Sequence, residues 1–144
     1  MSYVNMGNAR FDDQKAVMQK ILESGDCPFC PENLAKYHHG KVLREGNSWI
    51  LTFNQWPREH AKYHLLLILK EHAVSLAELS QEASNEFFDH MRWAERRFMV
   101  RGGLLFMRFG ETEYSGASVN HLHAQFIVPD KEAPNFEPVR FKVG

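Results

Sequence analysis

Cysteine is nearly absent from this chain. Two in 144 residues are too few for the disulfide framework of a small secreted domain. Neither sign of charge is in excess: the formal net charge is −1, so no basic face announces nucleic-acid binding, although one local site can still hold a small anion. No apolar run reaches transmembrane length. The longest, Leu65–Leu69, is strand-sized, and residues 1–25 contain no signal-peptide core. Internal repeats, low-complexity tracts and linkers are missing as well. These absences lead to the expectation of one soluble, cytoplasmic domain over residues 1–144, with neither nucleic acid nor membrane as partner.

What the chain does have is a hydrophobic content of 44%, enough for one core, and eight histidines. Residues 12–22 predict a short helix, with Asp12 as N-cap, Val17, Ile21 and Leu22 as its apolar stripe and Gly25 just past its end. Cys27-Pro28-Phe29-Cys30-Pro31 has the composition of a tight turn. Glu45-Gly46-Asn47 separates two strand-like runs, 41–44 and 48–53, as in a hairpin. Residues 64–69 form a continuous apolar run whose length favours a buried strand. Phe87, Met91, Ala94 and Phe98 share one face of a helix expected over 81–101, begun by Ser80 and stopped by Gly102-Gly103. Strands are expected over 104–109 and 119–128. This order of elements predicts an α+β domain, with a mostly antiparallel sheet, one main helix and a short N-terminal helix.

The chemistry lies in Ser115-Gly116-Ala117-Ser118-Val119-Asn120-His121-Leu122-His123-Ala124-Gln125-Phe126. Side chains alternate across a strand, so His121, His123 and Gln125 share one face, while Leu122, Ala124, Phe126 and Val128 make a core face. Two imidazoles and an amide in a row are costly to cover unless something is bound there. The alternative is a pair of exposed strand histidines. Ser115, Gly116 and Ser118 precede them, and such a turn can bring backbone N–H groups and a hydroxyl to phosphate oxygens. A phosphate held there would lie beside His123, whose neutral ring could attack phosphorus. For Cys27 and Cys30, a metal site, a redox pair and two unliganded thiols all remain open. His38-His39 reads as a solvated loop, and His60, His64 and His90 show no partner pattern.

His121-Leu122-His123-Ala124-Gln125-Phe126-Ile127 resembles the motif His-φ-His-φ-His-φ-φ of the histidine-triad superfamily, φ being apolar, with Gln in the third place. That variant is similar to its transferase branch, the branch of galactose-1-phosphate uridylyltransferase and diadenosine tetraphosphate phosphorylase. Ser-Gly-Ala-Ser before the motif looks like the phosphorylases. The resemblance covers about residues 27–129. Leu69 stands where the family has a proline, Ala117 where Gln is common, and Asn54 where many members carry an acid for the ribose hydroxyls.

The resemblance implies a histidine-triad fold, in much of the family a homodimer, acting through a covalent nucleotidyl-histidine. His123 would be the nucleophile, with Gln125 catalytic beside it, and Ser115, Gly116, Ser118 and Gln125 would hold phosphate. Asn54 would meet the nucleoside, and Phe53 is a candidate to stack on its base, with sheet core as its other reading. Cys27, Cys30, His72 and His121 would bind a structural zinc. The expected reaction is nucleotidyl transfer or phosphorolysis on nucleoside phosphates or dinucleoside polyphosphates. The alternatives are a hydrolase of phosphoramidates or dinucleoside polyphosphates, and a nucleotide-binding regulatory protein with little turnover. An amide cannot carry a proton to a leaving group near neutral pH, so Gln125 favours a leaving group already stable as an anion.

Overall fold

Alternating apolar side chains build the centre of the fold. In the computed structural model, which describes residues 2–144, five strands form one antiparallel sheet: β1 (Val42–Glu45), β2 (Trp49–Phe53), β3 (Ala61–Leu69), β4 (Leu104–Arg108) and β5 (His123–Pro129), in the order β1-β2-β3-β5-β4. Four α-helices accompany them: α1 (Asp12–Ser24), α2 (Pro31–Tyr37), α3 (Gln81–Arg97) and the single turn α4 (Thr112–Ser115). The expected mixture of an antiparallel sheet, one main helix and a short N-terminal helix is what the chain forms.

One face of the sheet belongs to α3. Trp49 and Leu51 of β2, Leu65, Leu67 and Leu69 of β3 and Ala124 of β5 pack against Ala83, Phe87, Met91 and Ala94. Ser80 caps α3 by accepting from the Ala83 N–H, as its hydroxyl predicts. The helix stops at Arg97, earlier than expected. Phe98 packs back onto Phe53 and Tyr63 at ring-centroid distances of 6.0 and 4.6 Å, and Met99 follows in the left-handed region at φ 48°. The β1–β2 hairpin forms as expected, and Glu86 of α3 fastens it by accepting the N–H groups of Ser48 and Trp49.

The opposite face is assembled from the odd pieces of the sequence. Ile50, Leu66 and Ile68 meet Leu34 of α2 and Phe29 of the cysteine turn. α1 buries Met18 and Ile21 beside Val4 and Val119. Its N-cap is Phe11, with no side-chain cap, so Asp12 lies inside the first turn, where a carboxylate suits the helix dipole. Leu22 is exposed, which removes it from the predicted stripe. β5 begins at His123, four residues later than expected. Val119 pairs with Val4 instead, and the Leu122 N–H donates to the Ala73 carbonyl, so the chain bends towards the end of β3 before joining the sheet. Among the described residues no helix is long and apolar enough to cross a membrane.

Candidate active site and metal centre

Where the chain bends ahead of β5, four side chains converge. His121 is buried, and its Nε2–H donates to the Leu69 carbonyl. That bond leaves the Nδ1 lone pair turned towards Cys27 and Cys30 from the turn before α2 and His72 from the loop after β3. The Cys27 Sγ lies 3.3 Å from His121 Nδ1 and 3.4 Å from His72 Nδ1, the Cys30 Sγ 3.8 and 3.5 Å from the same atoms, and the two Nδ1 atoms 3.1 Å from each other. A tetrahedron with Zn–S near ~2.3 Å and Zn–N near ~2.0 Å has S–N edges of about 3.5 Å and an N–N edge of about 3.3 Å. The four atoms therefore already stand at the corners of a site compatible with zinc. Burial and the neighbouring Cys27 push the Cys30 thiol up, a penalty that a bound dication reverses.

Two residues on, His123 turns into a cavity of about 480 Å³, within the range of small-molecule sites. Its Nδ1–H donates to the His121 carbonyl at 2.7 Å, which fixes the tautomer and leaves the lone pair on Nε2. Phe29 stands edge-on to the ring, with centroids 5.0 Å apart. Burial lowers the pKa of His123 from its ordinary value, so the ring is held neutral. Gly116 and Ser118 line the same cavity. Gly116 follows α4 at φ +79°, where a side chain would be strained, and caps it through its N–H to the Thr112 carbonyl. The N-terminal segment clamps this turn, with Asn5 N–H donating to the Ser118 carbonyl and Asn120 N–H to that of Tyr3.

Gln125 is oriented by His64, a residue the sequence pattern had left without a role. His64 Nδ1 accepts the Arg58 N–H at 3.0 Å. A neutral ring then carries its proton on Nε2, which donates to Gln125 Oε1 at 2.7 Å. Asn54 Nδ2 also lies 3.2 Å from that nitrogen, but in this tautomer both atoms are donors and the contact is not a hydrogen bond. With its oxygen taken, Gln125 has its amide N–H groups to offer the cavity. Burial is the main reason that the His64 pKa falls to about 4.

Comparison with solved structures decides the fold. A histidine triad protein from Clostridium difficile is 22% identical, with a TM-score of 0.57 over 78% of this chain and 96% of that one. The histidine triad nucleotide-binding protein from Candida albicans is 16% identical, with a TM-score of 0.61 over 81% of this chain and 86% of that one. A Zn-bound histidine triad family protein from Mycobacterium smegmatis is 19% identical, with a TM-score of 0.56 over 79% and 81%. This chain has the histidine-triad fold. No family model and no curated protein matches it.

On the histidine-triad frame, the residues expected to act together divide cleanly. His123, Gln125, Gly116, Ser118 and Asn54 line one cavity, and Cys27, Cys30, His72 and His121 form one cluster. Asn54 offers only its amide N–H groups, because Oδ1 accepts the Trp56 N–H at 2.7 Å. Two expected residues lie elsewhere. Phe53 shares the β2 face of Trp49 and Leu51 and packs under α3 against Phe98, away from the cavity. Its strand parity, the same as that of those two core residues, was the signal against a base-stacking role. Ser115 is buried, with its Oγ accepting the Ala117 N–H, so it shapes the turn without lining the cavity. His38, expected in a solvated loop, is also buried and lies 2.7 Å from Thr52 Oγ1 through Nε2.

Proposed function

We propose that this protein transfers a nucleotidyl group through a covalent intermediate on His123. The observation that carries the reading is the fixed tautomer: Nδ1–H is spent on the His121 carbonyl, so the lone pair of a residue that lines the ligand cavity lies on Nε2, an unprotonated nucleophile. His123 Nε2 attacks phosphorus, and the P–O bond to the leaving group breaks with its electron pair staying on the departing oxygen. An anionic acceptor oxygen then attacks phosphorus, the N–P bond breaks, and His123 recovers its lone pair. Gly116 and Ala117 spend their N–H groups within the turn, so Ser118 and the amide N–H groups of Gln125 are the donors for the phosphoryl oxygens, where charge builds up in both steps. Asn54 offers its N–H groups to the nucleoside.

The four-ligand cluster fits a zinc ion held by Cys27, Cys30, His72 and His121. With four N/S ligands the site is closed, and its role is structural. It ties the cysteine turn and the end of β3 to the residue two places before the nucleophile, so it holds the His121 carbonyl where His123 needs it. The reading includes a homodimer, supported by Leu104 and Leu105 lying exposed on the edge strand β4. A sedimentation mass of a single chain would refute that part.

The decisive experiment is covalent trapping. Brief exposure to nucleotide labelled in the α-phosphoryl group, followed by denaturing quench, should leave label on wild type through an acid-labile, base-stable bond. His123→Ala should carry none while keeping the wild-type circular-dichroism spectrum, since the ring lies outside the core under α3. Turnover with no trapped label and an unaffected His123→Ala would remove the mechanism.

A further inference from the structure

The cavity carries a charge imbalance that the nucleophile does not explain. Arg10, Arg58, Arg108, Arg140 and Lys142 line it, and no Asp or Glu does, in a chain whose formal net charge is −1. Arg10, Arg58 and Arg108 are part-buried, and among the described residues none of them forms an ion pair. Charges taken partly out of water and left unpaired are costly unless a ligand supplies the counter-charge.

Uncharged groups hold the three in place instead. Arg10 Nη2 donates to the Trp56 carbonyl at 2.8 Å, Arg108 Nη2 to that of Lys142 at 2.9 Å, and the Arg58 guanidinium lies 4.4 Å from the centre of the Phe141 ring. These contacts leave most of the guanidinium N–H groups free, and the buried Arg58 Nε has no hydrogen-bond partner at all. Burial first, and then repulsion from Arg58 and Arg108, brings Arg10 down to about 10, so each sits in the field of the others.

The three arginines come from different elements, and Arg58 and Arg108 meet at the Phe141 ring, 4.4 and 6.0 Å from its centre. Arg108 is the strand partner of His123 in the β4–β5 register, beside the nucleophile. Arg10 and Arg58 instead bear on His64, the partner of Gln125, and come from the segment before α1 and from the β2–β3 loop. One phosphoryl group beside His123, met by Arg108 and Ser118, carries less charge than the three arginines supply and leaves the cationic charge of Arg10 and Arg58 unanswered.

We propose that Arg10 and Arg58 form a second anion subsite, so that the substrate carries a chain of two or more phosphoryl groups. This rests on the reading of His123 as the nucleotidyl acceptor, and adds that the leaving group is itself a phosphate or polyphosphate. The P–O bond breaks with its electrons on a phosphate oxygen, Arg10 and Arg58 take up that charge through paired N–H donors, and Gln125 need supply no proton.

The test is a calorimetric series on the full chain. The probes are AMP, the α,β-methylene analogues of ADP and ATP, inorganic tripolyphosphate, and citrate as a polyanion without phosphorus. Affinity should rise about tenfold or more with each added phosphoryl group. Tripolyphosphate should bind without a base, and citrate at least about tenfold more weakly. Arg10→Gln with Arg58→Gln should flatten the series while AMP affinity stays within about threefold. If the double variant does not fold, Arg58→Gln alone, whose side chain gives up no hydrogen bond, reads the same loss. Equal affinity for AMP and the ATP analogue, an unchanged series in the variant, or citrate matching tripolyphosphate would overturn the subsite. Labelled His123 with a flat series would sink the subsite alone, and a graded series without label would sink the covalent mechanism alone.

Discussion

Protonating His64 should unfasten the site as the pH falls towards about 4, and the structure sets the size of the effect. His64 is 2% exposed; its Nδ1 accepts from Arg58 and its Nε2–H donates to Gln125. Protonation on Nδ1 destroys the first bond and sets a cation in a buried place. Burial chiefly, with Arg10 and Arg58 adding to it and Gln125 opposing, lowers the pKa from 6.5 to about 4. The unfolded chain therefore takes up this proton before the folded chain does. Stability is retained above pH ~6.5 and is lost as the pH falls towards ~4. With those two pKa values the loss between pH 7 and pH 4.5 is about 2 kcal/mol, roughly 1 M in a urea midpoint for a chain of this size. His64→Gln cannot titrate. At pH 7 it should cost about 1–3 kcal/mol, since the Arg58 N–H loses a well-placed acceptor. The measurement is the wild-type minus variant difference in unfolding free energy at pH 7 and at pH 4.5, which cancels every other titrating group. That difference should shrink by about 2 kcal/mol, and one that stays constant would refute the burial argument for His64.

Two further outcomes follow from the placement of single side chains. Wild type purified without chelator should carry roughly one zinc per chain, and Cys30→Ala under about 0.2; equal metal content by elemental analysis would dismiss the four-ligand set. Phe53→Ala should lower stability by about 2–4 kcal/mol, because the ring packs beneath α3, and leave KM for nucleotide within about twofold; a KM rising tenfold with stability unchanged would return Phe53 to the ligand.

Much of this arrangement could be read from residue order because strands and helices are periodic. His123 and Gln125 against Ala124 and Phe126, or Phe87, Met91 and Ala94 along α3, announce their faces by spacing alone. The same alternation places Phe53 with Trp49 and Leu51, so its assignment to the nucleoside went against a signal already present. His64 was hidden for a different reason. It opens a run of apolar residues in which every side chain is buried, and burial alone does not tell a core histidine from one whose ring nitrogens are both spoken for. Its parity with Leu66 and Ile68 gives the face, but the bond to Gln125 depends on the β3–β5 register, which joins residues 61 apart. Arg10, Arg58 and Phe141 lie in segments without a period, and only the closed fold brings them to one cavity. β5 starts at His123 and not at Val119 because Val119 pairs with Val4, a pairing across the domain that no local pattern encodes.

The bonds around Gln125 decide what the third position of the motif can do. Gln125 holds its oxygen towards His64 Nε2–H and so contributes donors but no transferable proton. In Gln125→His, one nitrogen of the new ring would accept that same His64 proton, and the other would carry an N–H into the cavity. This is the geometry of a general acid at the leaving oxygen. General acid help is typically worth ~10²–10⁴ in rate, but Arg10 and Arg58, which already oppose the protonation of His64, would oppose that of a ring beside it. The gain should therefore sit near the lower end, about 10²-fold. It should appear for leaving groups that depart as strong bases, such as amines, and be small for a departing phosphate. The assay is the ratio of hydrolysis to transfer, with and without added inorganic phosphate, on an adenosine phosphoramidate and on a dinucleoside polyphosphate. Wild type should favour transfer on the polyphosphate and act slowly on the phosphoramidate, and the variant should gain chiefly on the phosphoramidate. An equal gain on both substrates would mean that the new ring does something other than protonate the leaving group. Wild type hydrolysing the phosphoramidate as fast as the polyphosphate would show that Gln125 never limited proton delivery.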